Sequence, residues 1–379
     1  MKIMFFLPSL GGGGAEILAV RLASGLRCHG ITPVLVVAKD AGEFKYLVPK
    51  DVEVVFLKTP NIRSSSLKMF FGLLSFVVNL NKIKPDILVP FLPLPSLFSL
   101  LSIKFARHKP AVIVSLHSKI ITKKSGLSYR SVIFFLLKMI NEANRIIVVS
   151  RGIKNELSEL IPSLNSKINV IYNIGKPLPE QLVPNGEVSL SIDEIKCRKK
   201  FLACGRLVEA KDYPTLLKAF SIVLQEFDAE LYILGDGPKR DQLIRLSQDL
   251  NIYSRVKFLG FVDNPFAYMM LADIFVLSSQ WEGFGNVIVE AMSVGLPVIS
   301  TKCPYGPEEI IKNGVNGILV EPSNAVDLAA AMVRLSNDSE LREKFKKNGL
   351  LCCDNYSVSK ISADYAEVFR DVFSNIDAK

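Results

Sequence analysis

The chain has 379 residues, of which 49% are hydrophobic and 9% aromatic; that is enough for two domains with cores of their own and excludes a mostly disordered polypeptide. Its formal net charge of +9 favours an anionic partner, whether nucleic acid, anionic lipid or a phosphorylated substrate, and the absence of a nucleic-acid-binding motif among the Lys and Arg residues makes nucleic acid the weakest of the three. Six cysteines without C-x-x-C spacing and three histidines give no zinc pattern, so no metal is expected and the cysteines read as reduced thiols of a cytosolic protein.

In chain order, residues 2–7 read as a buried strand, too short an apolar run for a signal peptide. A glycine-rich turn over 8–16 leads into a helix over 17–29. In Gly11-Gly12-Gly13-Gly14-Ala15-Glu16, Gly11 and Gly13 fit the first two positions of a dinucleotide fingerprint, but Glu16 stands where the third small residue belongs. A tight turn and a ligand loop are equal readings of that stretch alone. Strands are expected over 33–37, 52–56, 87–90 and 112–115, alternating with helices, which predicts a parallel, doubly wound sheet. The longest uncharged run, 87–103, approaches a membrane span in length; Pro90, Pro93 and Pro95 cut it into strand, loop and helix. Residues 68–80 are apolar nearly all round, and Arg107, Lys109, Lys119, Lys123, Lys124 and Arg130 crowd the same half, a combination that suits a buried helix beside a solvated basic face or contact with an anionic membrane.

His117 follows the strand-like 112–116, where an open α/β sheet places ligand groups, although a lone histidine is ordinarily structural. The stretches 145–150, 151–160 and 168–173 follow. Residues 178–195, with Pro179, Pro184, Asn185 and Gly186, form the expected linker. A second alternation starts with a strand over 200–204 and a helix over 214–227, with strands over 231–234 and 256–262, and residues 272–278 lead on to the stretch 278–306. Arg206 and Lys211 sit in its first strand-to-helix loop, where two cations can grip one diphosphate from two directions, or form a surface ion pair. Residues 278–306 then read as turn, helix, turn and strand: Glu282-Gly283-Phe284-Gly285-Asn286 opens a helix carrying Glu290, and Val298-Ile299-Ser300-Thr301 is β-rich. A glycine-flanked helix start offers free N–H groups to an anion, and carboxylates accept from sugar hydroxyls. From Tyr356 a last helix carries Tyr365, Val368, Phe369, Val372 and Phe373 at helical spacing.

Glu282, seven intervening residues and Glu290, followed by Ala291-Met292 and Gly295-Leu296-Pro297-Val298, resemble the E-x7-E signature of family 4 retaining glycosyltransferases of the GT-B fold, the type that builds bacterial cell-surface polysaccharide and lipid-linked oligosaccharide. Gly205-Arg206-Leu207 with Lys211-Asp212 resembles that family's diphosphate clamp, and Gly13-Gly14-Ala15-Glu16 its donor-phosphate loop. The resemblance implies two Rossmann-like doubly wound domains facing across a cleft, an acceptor-side domain over 1–178 with the helix 357–379 crossing back to it, and a nucleotide-sugar domain over 179–356. It implies His117, Arg206, Lys211 and Glu282 as catalytic residues. Donor binding falls to Gly13, Gly14, Phe261, Val262, Gly283, Phe284, Gly285, Asn286 and Glu290, with Glu282 on the transferred sugar and Glu290 on the ribose. Asn173 is given no ligand role, because Ile174-Gly175 departs from the family's pattern after it.

The implied reaction moves a hexose or N-acetylhexosamine from a UDP-sugar, with retention, to a lipid-linked or polysaccharide acceptor. A motif at Cys303-Pro304-Tyr305-Gly306-Pro307-Glu308-Glu309, similar to that of hexose and N-acetylhexosamine transferases, points to the donor type. No Asp-x-Asp occurs, no cofactor is implied beyond the donor, and the expected location is cytoplasmic, peripheral at the inner face of the plasma membrane. A GT-B nucleotide-sugar epimerase and a non-catalytic UDP-sugar-binding subunit are the competing readings. An NAD-type dehydrogenase is disfavoured by the broken glycine fingerprint.

Overall fold

The computed structural model describes residues 1–11, 13–58, 65–118, 127–177 and 198–377. The chain forms two compact units, Met1–Ile174 with Val358–Lys379, and Gly175–Ser357. The expected linker, 178–195, Lys119, Lys123 and Lys124 lie outside the described residues.

In the first unit, strands β1 (Lys2–Leu7), β2 (Thr32–Val37), β3 (Glu53–Phe56), β4 (Ile87–Pro90), β5 (Ala111–Leu116), β6 (Arg145–Val148) and β7 (Ile168–Val170) alternate with helices α1 (Gly14–Leu26), α2 (Ser65–Ile83), α3 (Pro93–Ser102), α4 (Leu127–Met139) and α5 (Arg151–Leu160). The strands pair in parallel in the order β3-β2-β1-β4-β5-β6-β7. Both faces of the central strands are covered, so β1, β4 and β5 are continuous apolar runs rather than alternating ones. The uncharged run over 87–103 divides as expected, into β4, a short loop and α3 with Pro93 in its first turn. Among the described residues no helix is long and apolar enough to cross a membrane.

In the second unit, β8 (Lys199–Cys204), β9 (Ala229–Leu234), β10 (Val256–Gly260), β11 (Ile274–Leu277), β12 (Val298–Thr301) and β13 (Ile318–Val320) form a parallel sheet in the order β10-β9-β8-β11-β12-β13. Its helices are α6 (Tyr213–Glu226), α7 (Arg240–Asp249), α8 (Pro265–Leu271), α9 (Asn286–Ser293), α10 (Pro307–Ile310), α11 (Ala325–Asn337) and α12 (Ser339–Cys353). The last helix, α13 (Val358–Asp377), belongs to the first unit. Tyr365, Ala366 and Phe369 join the core formed by Leu22, Leu26 and Ile113, and a Cβ on Gly25 would stand 2.7 Å from Val358 and 2.8 Å from Ser362. Glycine at 25 therefore lets α1 and α13 approach closely.

Helix starts differ in their caps. Ser150, Asn264, Asn324 and Asp338 cap α5, α8, α11 and α12 with side-chain acceptors, which satisfies a first-turn N–H. Gly13 and Gly285 open α1 and α9 and offer no side-chain cap. Gly285 has φ +95°, a conformation that favours glycine over any residue with a Cβ.

Candidate active site

In a doubly wound sheet, ligands gather beyond the carboxyl ends of the strands where the strand order reverses. In the second unit the chain winds outward from β8 through β9 to β10 and returns beside β8 with β11. Residues 205–212 leave the end of β8, and residues 278–286 leave the end of β11. These are the loops that carry Arg206, Lys211 and Glu282.

The two loops are joined. Lys211 Nζ donates to Glu282 Oε1 at 2.6 Å, and Ser279 Oγ donates to the same oxygen at 2.6 Å. Ser278 Oγ donates to the Lys211 carbonyl at 2.8 Å, and the Gln280 N–H to the Ala210 carbonyl at 2.8 Å. Buried Asp212 is the hub: its Oδ2 accepts from Thr215 Oγ1 at 2.9 Å, Ser323 Oγ at 3.0 Å and Gln280 Nε2 at 3.1 Å. Asp212 holds φ +45°, which aspartate tolerates better than most residues.

The lysine stem runs over Gly205, where a Cβ would lie 3.1 Å from Lys211 Cε. Behind it the glycines of neighbouring loops nest: a Cβ on Gly235 would overlap the Gly205 carbonyl, and one on Gly237 would lie 2.6 Å from the Leu207 carbonyl. Gly235 N–H donates to the Gly260 carbonyl at 2.6 Å. These close approaches explain the glycines of Gly235-Asp236-Gly237. Arg206 is exposed, and its side chain has no ion pair or hydrogen-bond partner among the described residues.

Glu290 stands in the second turn of α9. Burial pushes the Cys204 thiol up to about 12, with Glu290 adding to the rise and Lys211 opposing it. Burial also raises Cys303 to about 12, with Glu282 adding to it and Lys211 again opposing. Glu282, Lys211 and Glu290 thus act on one region at the ends of β8 and β12, and neither thiol supplies a thiolate near neutral pH. Phe284 is buried and packs edge-on against Tyr356 at 5.4 Å, which makes it a wall residue of the 283–286 turn. A Cβ on Gly306 would overlap the Phe284 backbone. Phe261, 52% exposed, and half-buried Val262 follow β10, on the far side of β9 from β8.

In the first unit the order reverses between β1 and β4. The glycine loop leaves β1: Gly13 N–H donates to the Gly11 carbonyl at 2.9 Å, and Glu16 folds back so closely over Gly13 that a Cβ there would overlap its carboxylate. Gly12 is outside the described residues. Gly14 is the first residue of α1, so that helix starts three residues before the expected 17 and ends at Leu26, with a tighter turn over Arg27–His29.

His117 leaves the end of β5 and is buried. Its ring stacks on Phe91 at 5.1 Å and 9°, and Nε2 lies 2.8 Å from Ser115 Oγ. Burial lowers its pKa from 6.5 to about 4, a hydrogen bond with Asn173 offsetting part of the fall. The ring is therefore neutral at pH 7 and acts by hydrogen bonding rather than by charge. Asn173, given no ligand role above, is thus a partner of His117; β7 ends at Val170, and Asn173, three residues beyond it, is buried.

The Glycosyltransferase Family 4 model matches residues 12–174, and the Glycosyl transferases group 1 model matches residues 191–351. An uncharacterized glycosyltransferase of Methanocaldococcus jannaschii is 30% identical over 273 residues, covering 64% of this chain and 67% of that protein. The chain belongs to the glycosyltransferases. This glycosyltransferase is also 25% identical, over 96% of its length and 98% of the other's, to the N-acetylgalactosamine-N,N'-diacetylbacillosaminyl-diphospho-undecaprenol 4-alpha-N-acetylgalactosaminyltransferase of Campylobacter jejuni. The crystal structure of Anabaena HepE in complex with UDP and glucose superposes with a TM-score of 0.80 at 22% identity, covering 97% of the glycosyltransferase and 99% of HepE. That likeness shows the fold, GT-B, built from the seven- and six-stranded parallel sheets described above.

Asp212 stood in the clamp motif without a role of its own, and Ser279, Gln280 and Ser323 are the residues of this network that the sequence analysis did not single out. The advance signal for Ser279 and Gln280 was their position just before Glu282; Ser323 had none.

Proposed function

We propose that the protein is a retaining, metal-independent glycosyltransferase that moves a hexose or N-acetylhexosamine from a UDP-sugar to a hydroxyl of a lipid-linked or polysaccharide acceptor in cell-surface glycan assembly. The observation that carries this reading is the Lys211–Glu282 contact at the reversal between β8 and β11, with Arg206 exposed on the same loop. A cation and a carboxylate held together suit a substrate that has a diphosphate beside a sugar. The Anabaena structure holding UDP and glucose supports the donor class, and the Campylobacter enzyme, named for a diphospho-undecaprenol-linked acceptor, supports the acceptor class.

In the proposed reaction the bond from the anomeric carbon to the phosphate oxygen breaks, and a bond to the acceptor oxygen forms on the same face. The acceptor proton passes to the leaving phosphate. Arg206, Lys211 and the N–H groups that open α9 stabilise the departing charge, a role for which preorganised donors are most effective. Glu282 accepts from hydroxyls of the transferred sugar and Glu290 from the ribose. Neutral His117 hydrogen-bonds the sugar, and Gly13 and Gly14 let the chain approach the donor phosphates. Two cations on the diphosphate supply the charge that a divalent ion supplies elsewhere. The protein works in the cytoplasm, peripheral to the membrane that carries the acceptor.

The test is a panel of UDP-sugars incubated with and without a membrane-lipid extract in the presence of a chelator, followed by nuclear magnetic resonance. The reading expects an α-linked product from an α-linked donor only when extract is present. A β-linked product refutes retention, and interconversion of UDP-sugars without extract makes the protein an epimerase instead.

A further inference from the structure

The positive charge of the chain is concentrated in one stretch. Residues 65–139 hold eleven Lys and Arg against one acidic residue, Asp86. That is a net +10 in a chain whose whole is +9, so everything outside the stretch is close to neutral. Asp86 does not serve the surface: its carboxylate accepts the Lys2 N–H at 2.7 Å, at the start of β1. Charge asymmetry of this size points to a polyanionic surface as partner.

The same stretch leaves large apolar side chains uncovered. Helices α3 and α4 pack against each other, and Leu100 and Leu136 turn into the interior. Their outer sides carry Leu101, 39% exposed, and Phe134 and Phe135, each 54% exposed, while Phe105 just beyond α3 is 72% exposed. Phe134 and Phe135 stand edge to face at 5.6 Å, and Lys138 Nζ sits 4.3 Å from the Phe134 ring centre. Arg130, Phe134 and Lys138 are exposed at intervals of four along α4, so cation, ring and cation share one stripe. A solvated helix face has no use for two half-exposed phenylalanines, and a buried one would not carry cations between them.

We infer that the outer face of α3 and α4 docks on an anionic lipid bilayer, with Phe105, Phe134 and Phe135 entering the acyl boundary and Arg130 and Lys138 meeting the headgroups. Interfacial binding of this kind combines apolar insertion with attraction to anionic lipid. A second copy of the chain is the poorer occupant. A two-fold contact would set Arg130 and Lys138 against their own copies, and α3 and α4 contain no acidic residue to pair them. Glu142, at the end of this face, is already paired with Lys104 at 2.9 Å. The inference deepens the membrane-borne acceptor proposed above, but vesicle binding requires neither donor nor transfer, so the two fail separately.

The experiment is sedimentation of the full chain with phosphatidylcholine vesicles, with and without phosphatidylglycerol, for the wild type and for the double variants Phe134→Ser/Phe135→Ser and Arg130→Gln/Lys138→Gln. Calorimetric titration with UDP runs in parallel. The wild type is expected to partition onto the phosphatidylglycerol vesicles and not onto phosphatidylcholine alone. The phenylalanine variant is expected to lose about tenfold or more in partition at every salt concentration, and the charge variant to lose mainly the salt-sensitive part. UDP affinity stays unchanged in both. Absence of wild-type binding to anionic vesicles, or equal partition of all three proteins, overturns the inference. So does a wild-type dimer that the phenylalanine variant breaks without any vesicle binding. Vesicle partition as expected in a protein that fails to bind UDP upholds the docking face and contradicts the proposed function alone.

Discussion

Lys211 and Glu282 lie 71 residues apart in the chain and meet at 2.6 Å, with side chains only 16% and 11% exposed. Glu282 Oε1 is occupied by Lys211 and Ser279, while its second carboxylate oxygen accepts no hydrogen bond among the described residues. The sequence resemblance assigns the lysine to phosphate and the glutamate to sugar as separate tasks. The fold makes them one unit: Lys211 keeps Glu282 oriented, and Glu282 holds the Lys211 side chain in place before a donor arrives.

Arg206→Ala and Lys211→Ala therefore differ in stability while agreeing in turnover. In the proposed reaction each removes one stabiliser of the leaving diphosphate, so a loss of about 3 kcal/mol or a hundredfold in kcat is expected. Lys211→Ala also leaves the mostly buried Glu282 without its cation, which costs on the order of 1–3 kcal/mol of stability. Arg206→Ala breaks no side-chain hydrogen bond or ion pair among the described residues and is expected to leave the urea midpoint unchanged. Urea titrations and initial rates of both variants check the contrast; equal midpoints contradict the role given to the pair.

Asp212 separates backbone strain from site geometry. Asp212→Gly relieves the cost of φ +45°, roughly 1 kcal/mol, but removes the acceptor shared by Thr215, Gln280 and Ser323. Asp212→Ala removes the acceptor and keeps the strain. Both variants are expected to raise KM for the UDP-sugar, and the alanine variant to have the lower Tm. A glycine variant with normal KM shows that the hub does not position Lys211.

His117 gives the fold a pH dependence of known sign. Its folded pKa, about 4, lies below the unfolded 6.5, so the unfolded chain binds the proton more readily. The contribution to stability is complete above pH 6.5, declines as the pH falls towards 4 and is lost below it, about 3 kcal/mol in all. Chemical denaturation at pH 7 and pH 4.5 measures the slope, and His117→Gln is expected to flatten it. The buried, neutral ring also predicts no step in kcat attributable to His117 between pH 6 and 8.

Gly306→Ala tests the 283–286 turn. Its Cβ would overlap the Phe284 backbone, and Gly306 has φ +105°, so either the turn moves or the residue is strained. Loss of donor binding about tenfold or more is expected, because catalytic geometry tolerates shifts of well under 1 Å. Unaltered donor affinity in a folded variant means that the turn has no part in the site.

Strands buried on both faces were legible from their uninterrupted apolar runs: residues 2–7, 87–90 and 298–301 are strands over those spans. The reading overshot where the chain stays apolar after its ladder ends. The strand expected over 256–262 stops at Gly260. β6 stops at Val148, and Ser150 is already the cap of α5. The glycine run concealed the start of α1, since glycine has low helix propensity wherever it falls. Of the site, the motif residues could be read locally. The hydrogen bond from Ser323 to Asp212, 111 residues away, exists only because the strand order brings the β8, β11 and β13 loops to one end of the sheet, and no local pattern encodes that.

The central claim is that the loops after β8 and β11 form a nucleoside-diphosphate site, and calorimetric titration of UDP into the metal-free protein tests it most directly. The account predicts saturable one-to-one binding that weakens about tenfold or more in both Arg206→Ala and Lys211→Ala. Absence of binding by the wild type, or equal affinity in all three proteins, contradicts it.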